Sequence, residues 1–450
     1  MVSTERDTLS TRRAALHALE RIERDQAFVG IADGADDLPD ARTRRQVKEY
    51  VAGVTRWRRW LDFLLAEYYR GPFDRMERPL KIILRIGLYD LLFLRTPAHA
   101  AVHENVELAK REVRRGAAGL VNGILRAIDR QRDDLPEPDT GDVAEDLAIR
   151  HSHPTWIVRR WVERFGPEAT RELLVWNNRR PIYGLRVNTR RLSAEAFRER
   201  LDAHDVAWSA SPYLDDFVRV KRLQPVLRAG WLEEGLCAVQ DESAGLIVRL
   251  LDPQPGETLA DTCAAPGGKS LYAAERMQGE GTIYAIDVNG KRLNLVREAA
   301  EAQGVAGMLR LHAADLRDWA RSPDAPQADR VLLDAPCSGL GVLAKRADLR
   351  WQRAPEDLEE LTALQDALLD AAARLVRPDG LLVYSTCTIE PEENQHRVEA
   401  FLERHAGFAL EPAAPYVPEA VTTDEGYLAT FPHQHGVDGA FGARLRRVAA

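Results

Sequence analysis

Two of the four cysteines stand in small, polar surroundings that suit a reactive thiol, in Asp334-Ala-Pro-Cys-Ser-Gly339 and Tyr384-Ser-Thr-Cys-Thr388. A cysteine reacts as its thiolate and needs both access and a polar setting. A third, Cys263, lies in Asp261-Thr-Cys-Ala-Ala-Pro-Gly-Gly-Lys-Ser270. Small residues in that turn let a ligand approach the backbone and meet a helix N-terminus. Gly267-Gly-Lys-Ser270 imitates a phosphate-binding loop, but that loop needs glycine where Cys263 stands. Asp287 follows Asp261 by 26 residues, and Asp315 follows in His312-Ala-Ala-Asp-Leu316. Carboxylates after successive strands suit ribose hydroxyls and an adenine amino group, so an adenosine-bearing ligand is expected. Each aspartate taken singly reads better as a helix N-cap, and it is the set in phase after successive strands that points to the ligand.

One reaction uses an adenosine ligand, a thiol and a carboxyl group together. Carbon-5 of cytosine is a poor nucleophile until a thiolate adds at carbon-6 and makes the ring enamine-like. Carbon-5 can then attack an electrophilic methyl group. A carboxyl near ring nitrogen-3 stabilises the adduct, and a base must remove the carbon-5 proton before the thiol leaves. Asp334, Cys337 and Cys387 supply these groups, although residue types alone do not rank the two thiols.

The elements that must position these groups follow from periodicity. Apolar runs at Thr258–Thr262, Thr282–Ile286, Met308–His312, Arg330–Leu333 and Leu381–Tyr384 read as strands. Helical patterns at Lys291–Gln303 and Pro355–Val376 lie among them, which specifies a mostly parallel α/β sheet covered on both faces. Ligands bind such sheets at the carboxyl ends of the strands, where the motifs sit. Upstream, residues 1–135 read as a bundle of amphipathic helices, including one opened by Pro79 and interrupted by Lys81, Arg85 and Asp90. Residues 133–142, with two prolines and five acids, form a linker. Residues 143–235 read as a small α+β domain, with helices at Trp156–Phe165, Pro167–Asn177 and Ala194–Ala203 and strands at 183–189 and Phe217–Val220. Three domains are therefore expected, at 1–135, 143–235 and 236–450.

Composition bounds the function. With 45% hydrophobic residues in 450 the chain can bury a core, and 62 basic against 70 acidic residues give a net charge of −8, no simple polycation. Residues 1–135 carry 25 basic and 21 acidic side chains, a local excess of +4 that points weakly to an anionic partner. Four cysteines, no two closer than 26 positions, form neither a disulfide framework nor a zinc pair. His433 and His435 have no third ligand nearby in sequence and are expected to be loop residues, with no metal. The absence of a long apolar run leads to the expectation of a cytoplasmic protein that needs no membrane. Arg42, Arg44, Arg45, Lys48, Arg56, Arg58 and Arg59 beside Trp57 and Trp60 suggest one basic–aromatic surface. Arg179, Arg180, Arg186, Arg190 and Arg191 around Leu185–Thr189 suggest a second, and both suit RNA. The first cluster reads equally well as a solvated helix face over core tryptophans.

Three segments together resemble the signatures of the NOL1/NOP2/Sun family of RNA (cytosine-5) methyltransferases: Asp261–Ser270, Asp334–Gly341 and Ser385-Thr-Cys-Thr-Ile-Glu-Pro-Glu-Glu-Asn394. The similarity runs from about residue 177 to the C-terminus. A helical region ahead of it resembles the bacterial small-subunit (16S) rRNA members, whose first domain is NusB-like. That resemblance implies a NusB-like bundle, a small RNA-binding domain and a Rossmann-like catalytic domain, acting on 16S rRNA as a monomer. It implies that Cys263, Ala264, Ala265, Pro266, Gly267, Gly268, Lys269, Asp287, Asp315 and Asp334 contact S-adenosylmethionine. It makes Cys387 the nucleophile and gives Cys337 a role in turnover and RNA release. Two departures stand out: Asp438-Gly-Ala-Phe441 replaces Asp-Gly-Phe-Phe, and Ala344-Lys-Arg-Ala347 stands where Arg-Arg-Pro is usual.

Overall fold

The computed structural model describes residues 2–25, 40–94 and 96–448. The chain divides into two compact units, residues 1–179 with 346–353 and residues 180–345 with 354–450.

The first unit is helical: α1 (Val2–Asp25), α2 (Ala41–Tyr68), α3 (Arg78–Leu92), α4 (Ala98–Glu112), α5 (Ala117–Arg130), α6 (Val143–Arg150) and α7 (Thr155–Asn177). Asp40 caps α2 by accepting the amides of Arg42 and Thr43, and Asp142 caps α6 in the same way. Gly166, at φ 79°, breaks α7 ahead of Pro167, so the two expected helical stretches are two arms of one kinked helix. Leu16, Leu61, Ile83, Leu108 and Leu125 fill the core at 1% exposure or less. The charged interruptions in α3 are built into that core. Buried Asp90 accepts from Arg12 Nε (3.0 Å) and the Tyr50 hydroxyl (2.7 Å), and Arg85 binds Asp62 and Glu23.

The second unit holds two sheets. The smaller one has the order β2–β3–β1–β4, with β1 Tyr183–Val187, β2 Trp208–Ala210, β3 Phe217–Val220 and β4 Cys237–Val239, all antiparallel. Helix α8 (Ala194–Ala203) contributes Phe197 and Leu201 to the core beneath it. The β4 strand lies beyond residue 235, where the small domain was expected to end. The larger sheet runs β10–β12–β9–β8–β5–β6–β7, with β11 paired to β12. Its parallel strands are β5 (Thr258–Asp261), β6 (Thr282–Asp287), β7 (Leu309–Ala313), β8 (Ala328–Asp334) and β9 (Val376–Thr386). Three antiparallel strands, β10 (Phe408–Glu411), β11 (Leu428–Thr430) and β12 (Ala440–Arg447), extend it beyond β9. Side chains alternate between its faces. Leu259, Leu332 and Val383 pack with α9 (Glu242–Leu251), α10 (Gly268–Arg276) and α11 (Gly290–Gln303). Ala260, Leu333 and Tyr384 pack with α12 (Glu356–Leu375) and α13 (Gln395–Arg404).

Both expected arginine surfaces are corrected in part. In α2, Trp60 is 2% exposed and Trp57 stacks on Phe93, so those rings belong to the interior. Arg59 is spent on Glu145, the His153 carbonyl and Thr155. In β1, Arg186 is fully buried, ion-paired to Glu275 and bonded to Gln240 and Gln303. Arg190 and Arg191 bond the carbonyls of Gly304 and Ala302. Arg186 fastens the small sheet to the larger one, because a buried guanidinium requires acceptors for its donors, and exposed Arg190 and Arg191 add contacts at its edge. Glu275→Ala strands Arg186 without its counter-charge. It is expected to cost about 3–5 kcal/mol in urea unfolding, and a loss under about 1 kcal/mol, typical of a surface pair, contradicts the role.

Candidate active site

The site forms where β5 has β6 on one side and β8 on the other, the crevice in which α/β sheets bind ligands. The turn after β5 runs through Cys263–Gly267 into α10. Gly267 has φ 103°, and a Cβ there would come within 3.0 Å of Val296, so glycine is required. Asp287, at the end of β6, accepts the Ala265 amide (3.1 Å) and the Asn289 amide (2.8 Å), which ties the turn to the next strand. Asp315 follows β7, where it caps the short helix Leu316–Trp319 and binds Arg317. The N-cap alternative is therefore realised at Asp315.

Four carboxylates converge on Cys263. Burial, then the charges of Asp261, Asp334, Asp287 and Asp315, push its thiol well up, so Cys263 stays neutral. Asp261 is 1% exposed. Burial, with Asp334 adding to it, raises its carboxyl to about 6 despite the hydrogen bond from Ser270. Its other oxygen, Oδ1, is buried and has no partner.

At the end of β8, Asp334 is held at both oxygens, by Lys269 Nζ (2.6 Å) and Ser385 Oγ (2.8 Å). Burial opposes the Lys269 charge, but Asp334 holds its pKa above the ordinary lysine value. Strand β9 pairs with β8 in parallel, Asp334 opposite Ser385, and the chains leave side by side. Cys337 and Cys387 then meet, Sγ to Sγ, at 3.4 Å, and the Cys387 amide also points at the Cys337 sulfur. The hydrogen bond with Cys387, together with burial, pushes the Cys337 thiol well above its ordinary value. Cys337 therefore keeps its proton, and either sulfur can donate in the pair.

Several residues that hold this pair were not singled out from sequence. Glu393, fully buried, accepts from the Ser338 amide (2.8 Å), the Ser338 hydroxyl (2.5 Å) and Gln365 (3.0 Å). Asn394 joins Thr386 and the Thr388 carbonyl. Glu393 and Asn394 thereby clamp the loop bearing Cys337 to the loop bearing Cys387, and the signal was the Glu-Glu-Asn tail of the third motif. Lys345, in the segment that departs from Arg-Arg-Pro, bridges Asp241 and Asp438. Burial and Asp241 raise the Asp438 carboxyl to about 7. Gly439 beside it donates to the Gly341 carbonyl, and Gly341 donates to the Cys387 carbonyl. His435 accepts the Phe431 amide and meets the Ala420 carbonyl.

Comparison with known proteins agrees with this geometry. The family described as 16S rRNA methyltransferase RsmB/F matches residues 248–446, the NusB family 9–130, and the RsmF/B-like ferredoxin-like domain 153–227. The probable ribosomal RNA small subunit methyltransferase B of Bacillus subtilis is 33% identical over 97% of this chain and 99% of its own. The chain belongs to the RsmB/F methyltransferase family. Ribosomal RNA small subunit methyltransferase B of Pseudomonas putida is likewise 33% identical, over 98% of this chain and 99% of its own. The crystal structure of PH0851 matches 97% of this chain and 98% of that one with a TM-score of 0.79 at 27% identity. A methyltransferase homologue from Pyrococcus horikoshii matches 69% of this chain and all of its own, with a TM-score of 0.60 at 27% identity. The helical bundle, the small sheet and the mixed α/β sheet are the three parts of this fold.

As a member of the family the chain is an S-adenosylmethionine-dependent methyltransferase, and its residues fit that molecule. Asp261 Oδ1 is a buried acceptor without a partner at the end of β5, and the glycine turn gives a ligand access to backbone. Among the described residues no group of three or more ligating side chains could hold a metal ion, and no helix is long and apolar enough to cross a membrane.

Asp261 gives this crevice a pH signature. Its carboxyl lies at about 6 in the fold against 3.8 ordinarily, so the folded chain binds the proton more tightly. The stabilisation is complete below about pH 4 and is lost as pH rises through about 6, a change of about 3 kcal/mol. Asp261→Asn is expected to lack this fall, so the difference between the wild-type and variant stability profiles should change by about 3 kcal/mol between pH 4 and 7. Parallel profiles contradict it.

Proposed function

We propose that the chain transfers a methyl group to carbon-5 of one cytosine in small-subunit (16S) rRNA, through a covalent bond between Cys387 and carbon-6. The observation that carries this reading is the thiol pair, Cys337 and Cys387 at 3.4 Å, beside a carboxylate fixed at both oxygens. The curated relatives from B. subtilis and P. putida are named for ribosomal RNA small subunit methylation, and the same substrate is proposed here.

S-adenosylmethionine, when bound, supplies an electrophilic methyl carbon on a sulfonium sulfur. Cys263–Lys269, Asp287 and Asp315 would hold it at the ends of β5, β6 and β7, with Asp261 Oδ1 as a further acceptor. The target cytosine must be unpaired or flipped out, because attack at carbon-6 needs the open face of the ring. Cys387 Sγ adds there and pushes electron density to carbon-5. Lys269 and Ser385 aim Asp334 at the polar edge of the ring, where a carboxyl steadies the adduct at nitrogen-3. After methylation solvent water takes the carbon-5 proton, the electron pair of that bond restores the carbon-5–carbon-6 double bond, and the carbon-6–sulfur bond breaks to release Cys387 as its thiolate. Cys337, which keeps its proton, donates a hydrogen bond to the departing Cys387 sulfur and so assists release. Residues 1–135 and 143–235 would carry RNA contacts, and residues 236–450 the chemistry.

Methyl transfer from labelled S-adenosylmethionine to protein-free small-subunit rRNA tests the reading. The wild-type chain is expected to label one cytosine. Cys387→Ala should lower the rate by at least about 1,000-fold, and Cys337→Ala should accumulate a covalent protein–RNA species stable to denaturant. Persistent methylation without Cys387 would overturn the mechanism, and labelling of tRNA in place of rRNA would overturn the substrate. Glu393→Ala, which leaves both thiols in place but unclamps their loops, is expected to lower turnover about 100-fold without weakening S-adenosylmethionine binding. Unchanged turnover would show that the clamp is dispensable.

A further inference from the structure

The first unit holds a cavity of about 370 Å³ lined by Arg58, Arg350, Arg353, Trp156 and Trp351, with Asp62 the one carboxylate among its lining residues. The Arg58 guanidinium lies over the Trp351 ring, Cζ 4.4 Å from its centre, and Trp351 is anchored by its indole N–H to the Thr55 carbonyl at 2.7 Å. The two acids that face Arg58 are Glu23 and Asp62, and Arg85 takes both. Its Nε and Nη2 bind Asp62 at 2.6 and 2.7 Å, and its Nη1 binds Glu23. Burial, then the charge of Arg85, hold Arg58 below the ordinary arginine value in spite of those acids. Arg350 reaches the same cavity with its guanidinium bonded to the Ser152 carbonyl (3.0 Å) and Asn178 Oδ1 (2.8 Å).

A largely buried guanidinium whose neighbouring carboxylates are already engaged is stabilised by an anion that arrives from outside. Arginine seated over an indole still has N–H donors to offer, and they match the oxygens of a phosphate. The tryptophans add apolar planes of the kind on which unpaired bases stack. An acidic peptide would satisfy the charge and leave those planes unused.

We propose that this cavity is an RNA subsite that takes one unpaired nucleotide, its phosphate on Arg58 and Arg353 and its base against Trp156. The proposal rests on the rRNA reading above and adds a contact made by the helical unit, apart from the thiol site. The segment 346–353, which supplies three of the eight lining residues, follows Lys345 directly in the chain.

The test is binding of a protein-free 16S rRNA transcript by the full chain across a salt series, with S-adenosylmethionine affinity and melting temperature measured in parallel. Arg58→Gln is expected to weaken RNA binding about tenfold and to reduce the slope of log affinity against log salt by about 1. Trp156→Ala is expected to weaken it about tenfold with the slope unchanged. Both should retain S-adenosylmethionine affinity. Trp156 is only half-buried, so its variant decides the matter even where Arg58→Gln fails to fold. Wild-type RNA affinity and slope in Trp156→Ala, while the wild-type chain binds and methylates rRNA, overturn the subsite alone. Failure of the wild-type chain to bind rRNA overturns the subsite and the substrate reading together.

Discussion

Parallel pairing of β8 with β9 brings two strand ends, and with them two thiols, to one place. The register sets Asp334 against Ser385, and each chain then travels two or three residues to its cysteine. A shift of one residue would turn Asp334 away from Ser385, because neighbouring side chains on a strand face opposite ways. The pairing alone does not fix the thiols, since both lie in loops. Glu393 and Asn394 do so from inside, accepting from Ser338 on one loop and tying Thr386 to Thr388 on the other. A 3.4 Å contact between two sulfurs thus rests on a buried carboxylate and an amide contributed by the same motif that carries Cys387.

The rest of the crevice is an electrostatic compromise. Asp261, Asp287, Asp315 and Asp334 stand around one turn, where burial and neighbouring carboxylates push Asp261 and Cys263 up. The protein answers with Lys269, which neutralises Asp334, with a protonatable Asp261, and with backbone amides on Asp287. The outcome at Cys263 is a neutral thiol beside the ligand crevice, and at Cys337 a neutral thiol beside its partner. Burial raises the Cys263 thiol, with the carboxylates around the turn adding to it, and the contact with Cys387 raises the Cys337 thiol, with burial adding to it.

Much of this was legible from residue pattern. Helix Ala194–Ala203 and strand Phe217–Val220 stand at their expected bounds, and all five parallel strands lie within a few residues of theirs. Their apolar runs are long and their glycine-rich turns unambiguous. The antiparallel strands β10, β11 and β12 were not legible, because Leu428–Thr430 is three residues long and β12 carries arginines that bind Glu411 and backbone carbonyls. Arginine composition also says nothing about burial. Arg186 sits in an apparently RNA-ready cluster yet is fully enclosed, a fact decided by Glu275, Gln240 and Gln303 from distant segments. The converse holds for the segment 346–353, whose membership of the helical unit leaves no mark in local pattern. Ranking the two thiols by composition was likewise impossible, since each has small polar neighbours.

The central proposal is that Cys387 forms the bond to carbon-6, while Cys337, whose thiol is pushed up by the contact with Cys387 and by burial, stays protonated beside it. Alkylation of the native chain by iodoacetamide over a pH series, read at each cysteine by peptide mass spectrometry, measures this directly. The account predicts that Cys387 is modified at a pH where Cys337 remains unmodified. Modification of Cys337 ahead of Cys387 would reverse the assigned roles and contradict the account.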